Sequence, residues 1–325
     1  MTSTTMKAVR LNAVGDGLHV ESIAAPVPAA DESLVRVRAA AFNRRDVFIT
    51  QGLYPGIEVP RTLGSDGAGT LPDGREVVID PMLDWGDDSH VWSPKASILG
   101  MPRDGTFAQY VAVPSGNVYD KPAHLTMEEA AALPLAGLTA YRALVTRGEV
   151  RAGETVLVPG IGGGVQTFVL LFAKALGART IVTSRSDAKL ERARALGADV
   201  TINYAVNPDW HKALKRGEVD LVVDSSGGDT LNKAFGVVRP GGRIVIYGGT
   251  RLESTFRLFP LFWNHLDIRG TSMGSPADFQ AMLELVNRHE IRPAVDRVYP
   301  MDQVAAAAER MAQSEQFGKI VLTID

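Results

Sequence analysis

Four glycines in five positions, Gly160, Gly162, Gly163 and Gly164, constrain this chain more than any other feature. They directly follow the apolar run Val156, Leu157 and Val158, which reads as a strand over 155–158 buried on both faces. Residues 165–176 read as a helix, closed by Gly177, and 180–183 as a second strand. Strand, glycine turn, helix and strand together make the phosphate-binding start of a dinucleotide βαβ unit. Glycine lets phosphates approach bare backbone, and the first N–H groups of the helix attract anions. The spacing is not a strict G-x-G-x-x-G: counted from Gly160 the last position is Val165, and from Gly162 it is Thr167. The alternative is a tight βα turn that binds nothing, but such a turn does not need four glycines. Gly160, Gly162, Gly163, Gly164 and Val165 are therefore the candidate pyrophosphate-binding residues.

The end of the second strand selects the coenzyme. An NAD site places Asp or Glu there for the ribose 2′-hydroxyl. Here Ser184, Arg185 and Ser186 occupy the spot, Lys189 lies one turn on, and no acid precedes Asp187. Hydrogen bonds to a charged 2′-phosphate are worth about 1.5–3 kcal/mol each. Ser184, Arg185 and Lys189 can supply several, which predicts NADP(H); the competing reading leaves Arg185 and Lys189 as solvated surface charges.

With 325 residues, 45% of them hydrophobic, the chain suits two domains or one large one. A net charge of −3 offers no electrostatic footprint for nucleic acid or an anionic membrane. No apolar run is long enough for a bilayer, and the start MTSTTMKAVR lacks a signal-peptide core, so a cytoplasmic location is expected. There is no cysteine, hence no thiol nucleophile, no disulfide and no thiolate zinc site. His19, His90, His124, His211, His265 and His289 are scattered without metal-binding spacing.

The first 125 residues read as mostly β, with strands near 6–12, 18–23, 33–41, 62–69, 76–80 and 105–113. Between the last two lies a polar segment, 81–101, with Trp85, Trp92 and Asp84, Asp87 and Asp88, which reads as a lid or rim. From Leu125 the pattern changes. Thr126 and Glu129 resemble an N-cap with an acidic first turn. An Ala-rich helix interrupted at Pro134 and Gly137 follows. Strands near 155–158, 180–183, 200–203, 221–225, 243–248 and 268–272 then alternate with helices at 165–176, 187–196, 208–216, 229–238 and 260–265. That is a doubly wound, six-stranded parallel sheet. Helices at 276–290 and 301–312 and strands at 294–299 and 319–324 return to the β domain. The expected division is 1–124 with 276–325, and 125–275, with a cleft between the two.

Several stretches together resemble the medium-chain dehydrogenase/reductase superfamily: AAFNRRDVFITQGLYP at 40–55, LGSDGAG at 63–69, GTFAQYVAVP at 105–114, AAALPLAGLTAYRAL at 130–144, the glycine turn, KLERARALGAD at 189–199 and GKIVL at 318–322. The resemblance implies an α/β fold with a GroES-like β domain beside a Rossmann domain, and a homodimer joined through the dinucleotide sheets. Zinc members carry Cys, His and Cys at positions matched here by Asn43, Ser65 and Leu135, so no catalytic metal is expected. The chain looks like the zinc-free quinone oxidoreductase branch, the zeta-crystallin-like enzymes, with one hairpin of the β domain trimmed near 67–80. The resemblance puts Asn43 and Thr139 near the nicotinamide and Tyr54 in the substrate cleft. It places Ser184, Lys189 and Tyr204 around the adenosine phosphate. The loops holding Ser225, Gly248, and Met273 with Gly274 end three sheet strands, where ligands bind in such folds. Asp46 and Asp66 are expected to form structural ion pairs with Arg44 or Arg45, the alternative being a role in proton transfer.

The implied chemistry is hydride transfer from NADPH to a quinone or an α,β-unsaturated carbonyl, with Asn43 and Tyr54 as hydrogen-bond donors to the developing enolate. Two alternatives stand beside it: a zinc-independent alcohol or aldehyde oxidoreductase, and a non-catalytic NADPH-binding regulatory protein.

Overall fold

The computed structural model describes residues 5–251 and 253–325. The chain forms two compact units, one made of Met1–Ala136 with Ser275–Asp325, the other of Gly137–Gly274.

The first unit begins with β1 (Thr5–Leu11), β2 (His19–Ala24), β3 (Glu32–Ala41), α1 (Arg44–Thr50), β4 (Arg61–Thr62), β5 (Asp66–Thr70) and β6 (Glu76–Ile79). It continues through β7 (Met82–Leu83), β8 (Ser97–Ile98), β9 (Tyr110–Pro114), β10 (Val118–Asp120) and α2 (Met127–Ala131). α3 (Pro134–Tyr141) leads into the second unit, which holds β11 (Thr155–Val158), α4 (Gly164–Ala175), β12 (Arg179–Ser184), α5 (Asp187–Ala195) and β13 (Val200–Asn203). Next come β14 (Val219–Asp224), α6 (Asp229–Phe235), β15 (Val238–Ile246), α7 (Leu258–Trp263) and β16 (Asp267–Gly270). The chain then re-enters the first unit with α8 (Pro276–Arg288), β17 (Val295–Pro300), α9 (Val304–Ala312) and β18 (Lys319–Thr323).

In the second unit six parallel strands lie in the order β13-β12-β11-β14-β15-β16. Their apolar runs are continuous, as in Val156–Val158 and Leu221–Val223, because both faces of a parallel sheet are covered. The order reverses between β11 and β14, the point where such sheets open a crevice at their carboxyl ends. In the first unit a seven-stranded sheet runs β10-β6-β5-β3-β18-β17, with β9 also on β3, beside the three-stranded β2-β1-β4. β3 alternates as its sequence predicts: Val35 and Val37 are buried, Arg36 and Arg38 exposed. The C-terminal strand β18 inserts between β3 and β17, so the end of the chain completes the core begun at its start. Among the described residues no helix is long and apolar enough to cross a membrane.

Four sequence expectations are corrected. Residues 125–136 pack within the first unit, α2 lying against β3 and β5, rather than opening the dinucleotide unit. The Ala-rich helix does break at Pro134, which starts α3, where its missing N–H costs nothing, after α2 ends at Ala131; it does not break at Gly137, which lies inside α3. The helix expected at 208–216 is only a 3-10 turn, Trp210–Ala213, anchored by buried Trp210 and ended before Gly217, whose φ is +77°. The polar segment 81–101 is a pinned hairpin: β7 pairs with β8, and Trp85 is buried with its Nε1–H donated to the Asp88 carbonyl.

Candidate active site

Strand register assembles the polar cluster of the first unit. On β3, Ala41 stands opposite Asp66 of β5 on one side and Val321 of β18 on the other. Continuing that antiparallel register past Ala41, Phe42 N–H bonds the Ile320 carbonyl, which brings Asn43 beside Lys319. Three neighbouring strands thus set Asp66, Asn43 and Lys319 side by side at one end of the sheet. Lys319 Nζ donates to Asn43 Oδ1 at 2.6 Å and to Asp66 Oδ2 at 2.7 Å. Asn43 Nδ2 donates to the same Asp66 Oδ2 at 2.9 Å. Asp66 Oδ1 accepts the Leu135 backbone N–H at 2.7 Å. Lys319 is 2% and Asp66 0% exposed, so this ion pair is dry, and each charge depends on the other. The ion pair expected between Asp66 and Arg44 or Arg45 is therefore corrected. Asp66 pairs with Lys319, while Arg44 bonds the Met311 carbonyl and Ser314 Oγ.

Arg45 builds the adjacent wall. Its Nη1 donates to Ser65 Oγ at 2.6 Å and to the Leu99 carbonyl at 2.9 Å, and Ser65 Oγ also donates to that carbonyl. Arg45 Nε reaches the Tyr54 hydroxyl at 3.4 Å, and its guanidinium carbon lies 4.9 Å from the Tyr54 ring centroid. Arg45 Nη2 is buried without a hydrogen-bond partner. Asp46, in the first turn of α1, takes the Asn43 backbone N–H on Oδ2 at 2.7 Å, and its Oδ1 is buried without a partner. Burial pushes the Asp46 carboxyl up to about 6, against the pull of Arg45, the Asn43 N–H and Lys319.

The three positions matched to zinc ligands are occupied by other work. Asn43 Oδ1 faces an ammonium group, Ser65 Oγ accepts from a guanidinium, and Leu135 offers only a backbone N–H, already given to Asp66. Two fixed cations and no imidazole or thiolate do not fit a zinc ion. Among the described residues no group of three His, Asp or Glu is placed to hold a metal.

The second unit carries the glycine turn. Gly163 caps α4, and Val165 lies in its first turn. Gly160 N–H donates to Thr183 Oγ1 at 3.1 Å and Ile161 N–H to the Thr183 carbonyl at 2.7 Å, so β12 pins the turn. Gly162 has φ +150°, and a Cβ added there would lie 3.0 Å from Lys189 Cδ and 3.1 Å from Lys189 Nζ. A side chain at 162 would displace the lysine; glycine lets an ammonium lie against the turn. Ser184 is buried at the end of β12, and Arg185 and Tyr204 are exposed, Tyr204 with its N–H on the Ser184 carbonyl. The first acid after β12, Asp187, accepts from Asn203 Nδ2 at 2.8 Å. At the switch point, Gln166 Nε2 donates to Ser225 Oγ at 3.3 Å, which donates to the Tyr247 hydroxyl at 2.9 Å. Burial raises the Tyr247 phenol above its ordinary range, so it stays protonated. Gly248 follows on an exposed loop, Met273 and Gly274 are buried, and Thr139 is buried in α3. A bare turn at a helix N-terminus, a lysine against it and a crevice at the strand ends fit a dinucleotide.

The alcohol dehydrogenase GroES-like domain family matches residues 29–123, and the zinc-binding dehydrogenase family matches residues 164–288. A zinc-type alcohol dehydrogenase-like protein YogA from Leptosphaeria maculans is 36% identical over 338 residues, covering 94% of each chain. This chain belongs to the medium-chain dehydrogenase/reductase superfamily. A solved NAD-dependent alcohol dehydrogenase superposes with TM-score 0.91 at 36% identity, covering 98% of this chain and 100% of that one. A 2-octenoyl-CoA carboxylase reductase, CinF, in complex with NADP and 2-octenoyl-CoA superposes with TM-score 0.86 at 25% identity, covering 98% and 87%. As a member of this superfamily the chain is a nicotinamide-dinucleotide oxidoreductase with a GroES-like and a Rossmann unit.

Sequence reasoning missed Lys319 as a member of the cluster, and named Arg45 only as a partner for Asp46 or Asp66. One signal was available: a lysine opening the otherwise apolar strand KIVLT, whose first four residues are all buried.

Proposed function

We propose that this protein is a zinc-independent oxidoreductase that reduces an α,β-unsaturated carbonyl or a quinone with NADPH. The observation that carries the reading is the Asn43–Asp66–Lys319 cluster. Asn43, matched by resemblance to a zinc ligand, stands there with hydrogen-bond donors and a buried ammonium. Without a Lewis acid, polarising a simple ketone loses several kcal/mol of charge stabilisation. A conjugated acceptor asks less, because the charge delocalises over C=C–C=O or a quinone ring.

The residues of the glycine turn would hold a reduced nicotinamide dinucleotide, whose chemistry would be hydride donation. Gly160, Gly162, Gly163, Gly164 and Val165 hold the pyrophosphate through backbone N–H groups. Ser184, Arg185, Lys189 and Tyr204 surround a 2′-phosphate. No carboxylate at the end of β12 repels it, since Asp187 is turned to Asn203. Ser225, Gly248, Met273 and Gly274 would line the remainder of the coenzyme, and Thr139 would contact the nicotinamide or its amide. Asn43 donates to the oxygen that gains charge, and Tyr54, oriented by Arg45, or solvent supplies the proton, to the α-carbon of an enolate or to the oxygen of a reduced quinone. The NADP-bound reductase of an enoyl thioester among the structural neighbours supports both the coenzyme and the substrate class.

A second reading, a zinc-independent alcohol or aldehyde oxidoreductase, is favoured by the solved NAD-dependent alcohol dehydrogenase at 36% identity. Oxidation of NADPH and NADH against quinones, enones and aldehydes, with alcohols in the reverse direction and metal analysis of the same sample, separates the two. Turnover of enones or quinones with NADPH supports the first reading. Turnover of simple alcohols alone, or stoichiometric zinc, overturns it.

The protein is further proposed to act as a homodimer in the cytoplasm. β16 is one of the two edges of the dinucleotide sheet among the described residues, and α7 just before it exposes Leu258, Phe259, Phe262 and Trp263. Phe259 stacks on Trp263 with centroids 5.4 Å apart. An unpaired strand edge beside an aromatic patch favours pairing with a second copy.

A further inference from the structure

An asparagine amide has two faces that look alike in shape and are opposite in chemistry. One end accepts, the other donates, and a half-turn about the terminal bond exchanges them. Asn43 sits between two groups that tolerate no such exchange. The Lys319 ammonium carries only donors, and the ionised Asp66 carboxylate carries only acceptors. Lys319 Nζ lies 2.6 Å from Asn43 Oδ1, and Asp66 Oδ2 lies 2.9 Å from Asn43 Nδ2. Reversing the amide would set an N–H against an ammonium and a carbonyl against a carboxylate, with Lys319 and Asp66 both almost wholly buried. The ion pair of Lys319 with Asp66, at 2.7 Å, closes the ring and keeps both partners in place. Leu135 N–H holds the other carboxylate oxygen, so Asp66 has no freedom to turn.

The count of hydrogen bonds then matters. Asn43 Nδ2 has two hydrogens, and one is spent on Asp66. Among the described residues no acceptor takes the second. An amide whose oxygen accepts from an ammonium is polarised, and its remaining N–H becomes a stronger donor. The positive charge of Lys319 is in this way carried one residue outward, without the lysine itself touching the reacting atoms.

We propose that Lys319 is a positioning residue: bridging Asn43 Oδ1 and Asp66 Oδ2, it locks the Asn43 amide in one orientation and leaves a single polarised Nδ2–H for the substrate oxygen. This rests on the hydride-transfer reading above. It also explains why a lysine occupies the first position of β18: that strand is where the register meets Asn43.

The test uses the full-length enzyme. Lys319→Met alone leaves Asp66 as an uncompensated buried charge and can fail to fold, so the decisive variant is Lys319→Met with Asp66→Asn. It removes both charges at nearly constant volume and sets an amide, not a carboxylate, beside Asn43. With the acceptor the wild type turns over, kcat should fall on the order of 10- to 100-fold while KM for the reduced coenzyme stays within about twofold. In an Asn43→Ala background the same two changes should cost nothing further. Unchanged kcat in the folded double variant, or the same loss without Asn43, overturns the proposal.

A second arm needs no substrate. In 15N spectra, the Asn43 side-chain amide, assigned by its loss in Asn43→Ala, should exchange slowly with solvent in the wild type and faster in the double variant. Exchange as fast as that of an exposed asparagine overturns the locked orientation. If the wild type oxidises reduced coenzyme with none of the quinones, enones or aldehydes, the proposed function falls, and the exchange arm alone decides the orientation.

Discussion

Asn43 carries more of this site than its small size suggests. It is the N-cap of α1, its backbone N–H is held by Asp46, and its amide is shared between Asp66 and Lys319. If it supplies the donor for the developing oxyanion, Asn43→Ala should lower kcat on the order of 10²- to 10³-fold. The dissociation constant of the reduced coenzyme, read by fluorescence titration, should change little. Unaltered kcat would reduce Asn43 to packing. Asp80 makes a different kind of claim. It is fully buried, one oxygen takes the Met82 N–H at 3.0 Å, and the other has no partner. Burial pushes its carboxyl up to about 8, opposed by the Met82 N–H and reinforced by Asp278. The folded protein therefore holds this proton more tightly than the unfolded chain, whose carboxyl titrates near 3.8. The stability it confers is full at low pH and is lost as pH climbs from about 4 to about 8. Asp80→Asn should flatten the fall in melting temperature over that window; parallel curves for wild type and variant would contradict the assignment.

At the scale of elements, the turn from β12 into α5 is the informative one. Ser186 caps α5 by accepting the Lys189 N–H, so the lysine is fixed at the third helical position. Its side chain then runs back to Gly162. A helix start thus delivers a cation to the glycine turn from a neighbouring βα connection. Lys189→Ala should raise the dissociation constant for NADPH by on the order of tenfold, the loss of one charged hydrogen bond, and leave that for NADH nearly unchanged. Isothermal titration with both coenzymes reads the difference. Equal effects on the two would assign Lys189 to the pyrophosphate and remove it from coenzyme selection. The β5-β3-β18 ladder is the corresponding device in the first unit. Strands from positions 66, 41 and 321 meet at one level, and the polar ends of all three are brought together by backbone register alone.

The whole molecule reads as two units, with the dinucleotide sheet inserted into a β unit that the last strand closes. The exposed aromatics of α7 predict the assembly: replacing Phe262 and Trp263 by Asp should shift the mass in light scattering from about twice 34.9 kDa to a single chain, with the fold intact by circular dichroism. A wild type that is already monomeric would refute the dimer. The dinucleotide unit was legible from local pattern, because a buried parallel strand, a glycine turn and a capped helix each announce themselves within a few residues. The capping box at Thr126 was legible for the same reason. The turn at 210–213 was not, because polar Asp, His and Lys near a proline read as helix until a buried tryptophan shortens the connection. The candidate site divides along the same line. Asn43, Tyr54 and the glycines could be named from short stretches of chain, by resemblance and by turn chemistry. That Asp66 is neutralised by Lys319, 253 positions away, and not by the arginines beside Asn43, depended on which strands became neighbours. Sequence alone determined which residue types were present to bind phosphate and which were absent to bind zinc; the tertiary structure decided which charges meet, because a dry ion pair forms only where strand register and burial leave each charge no other partner.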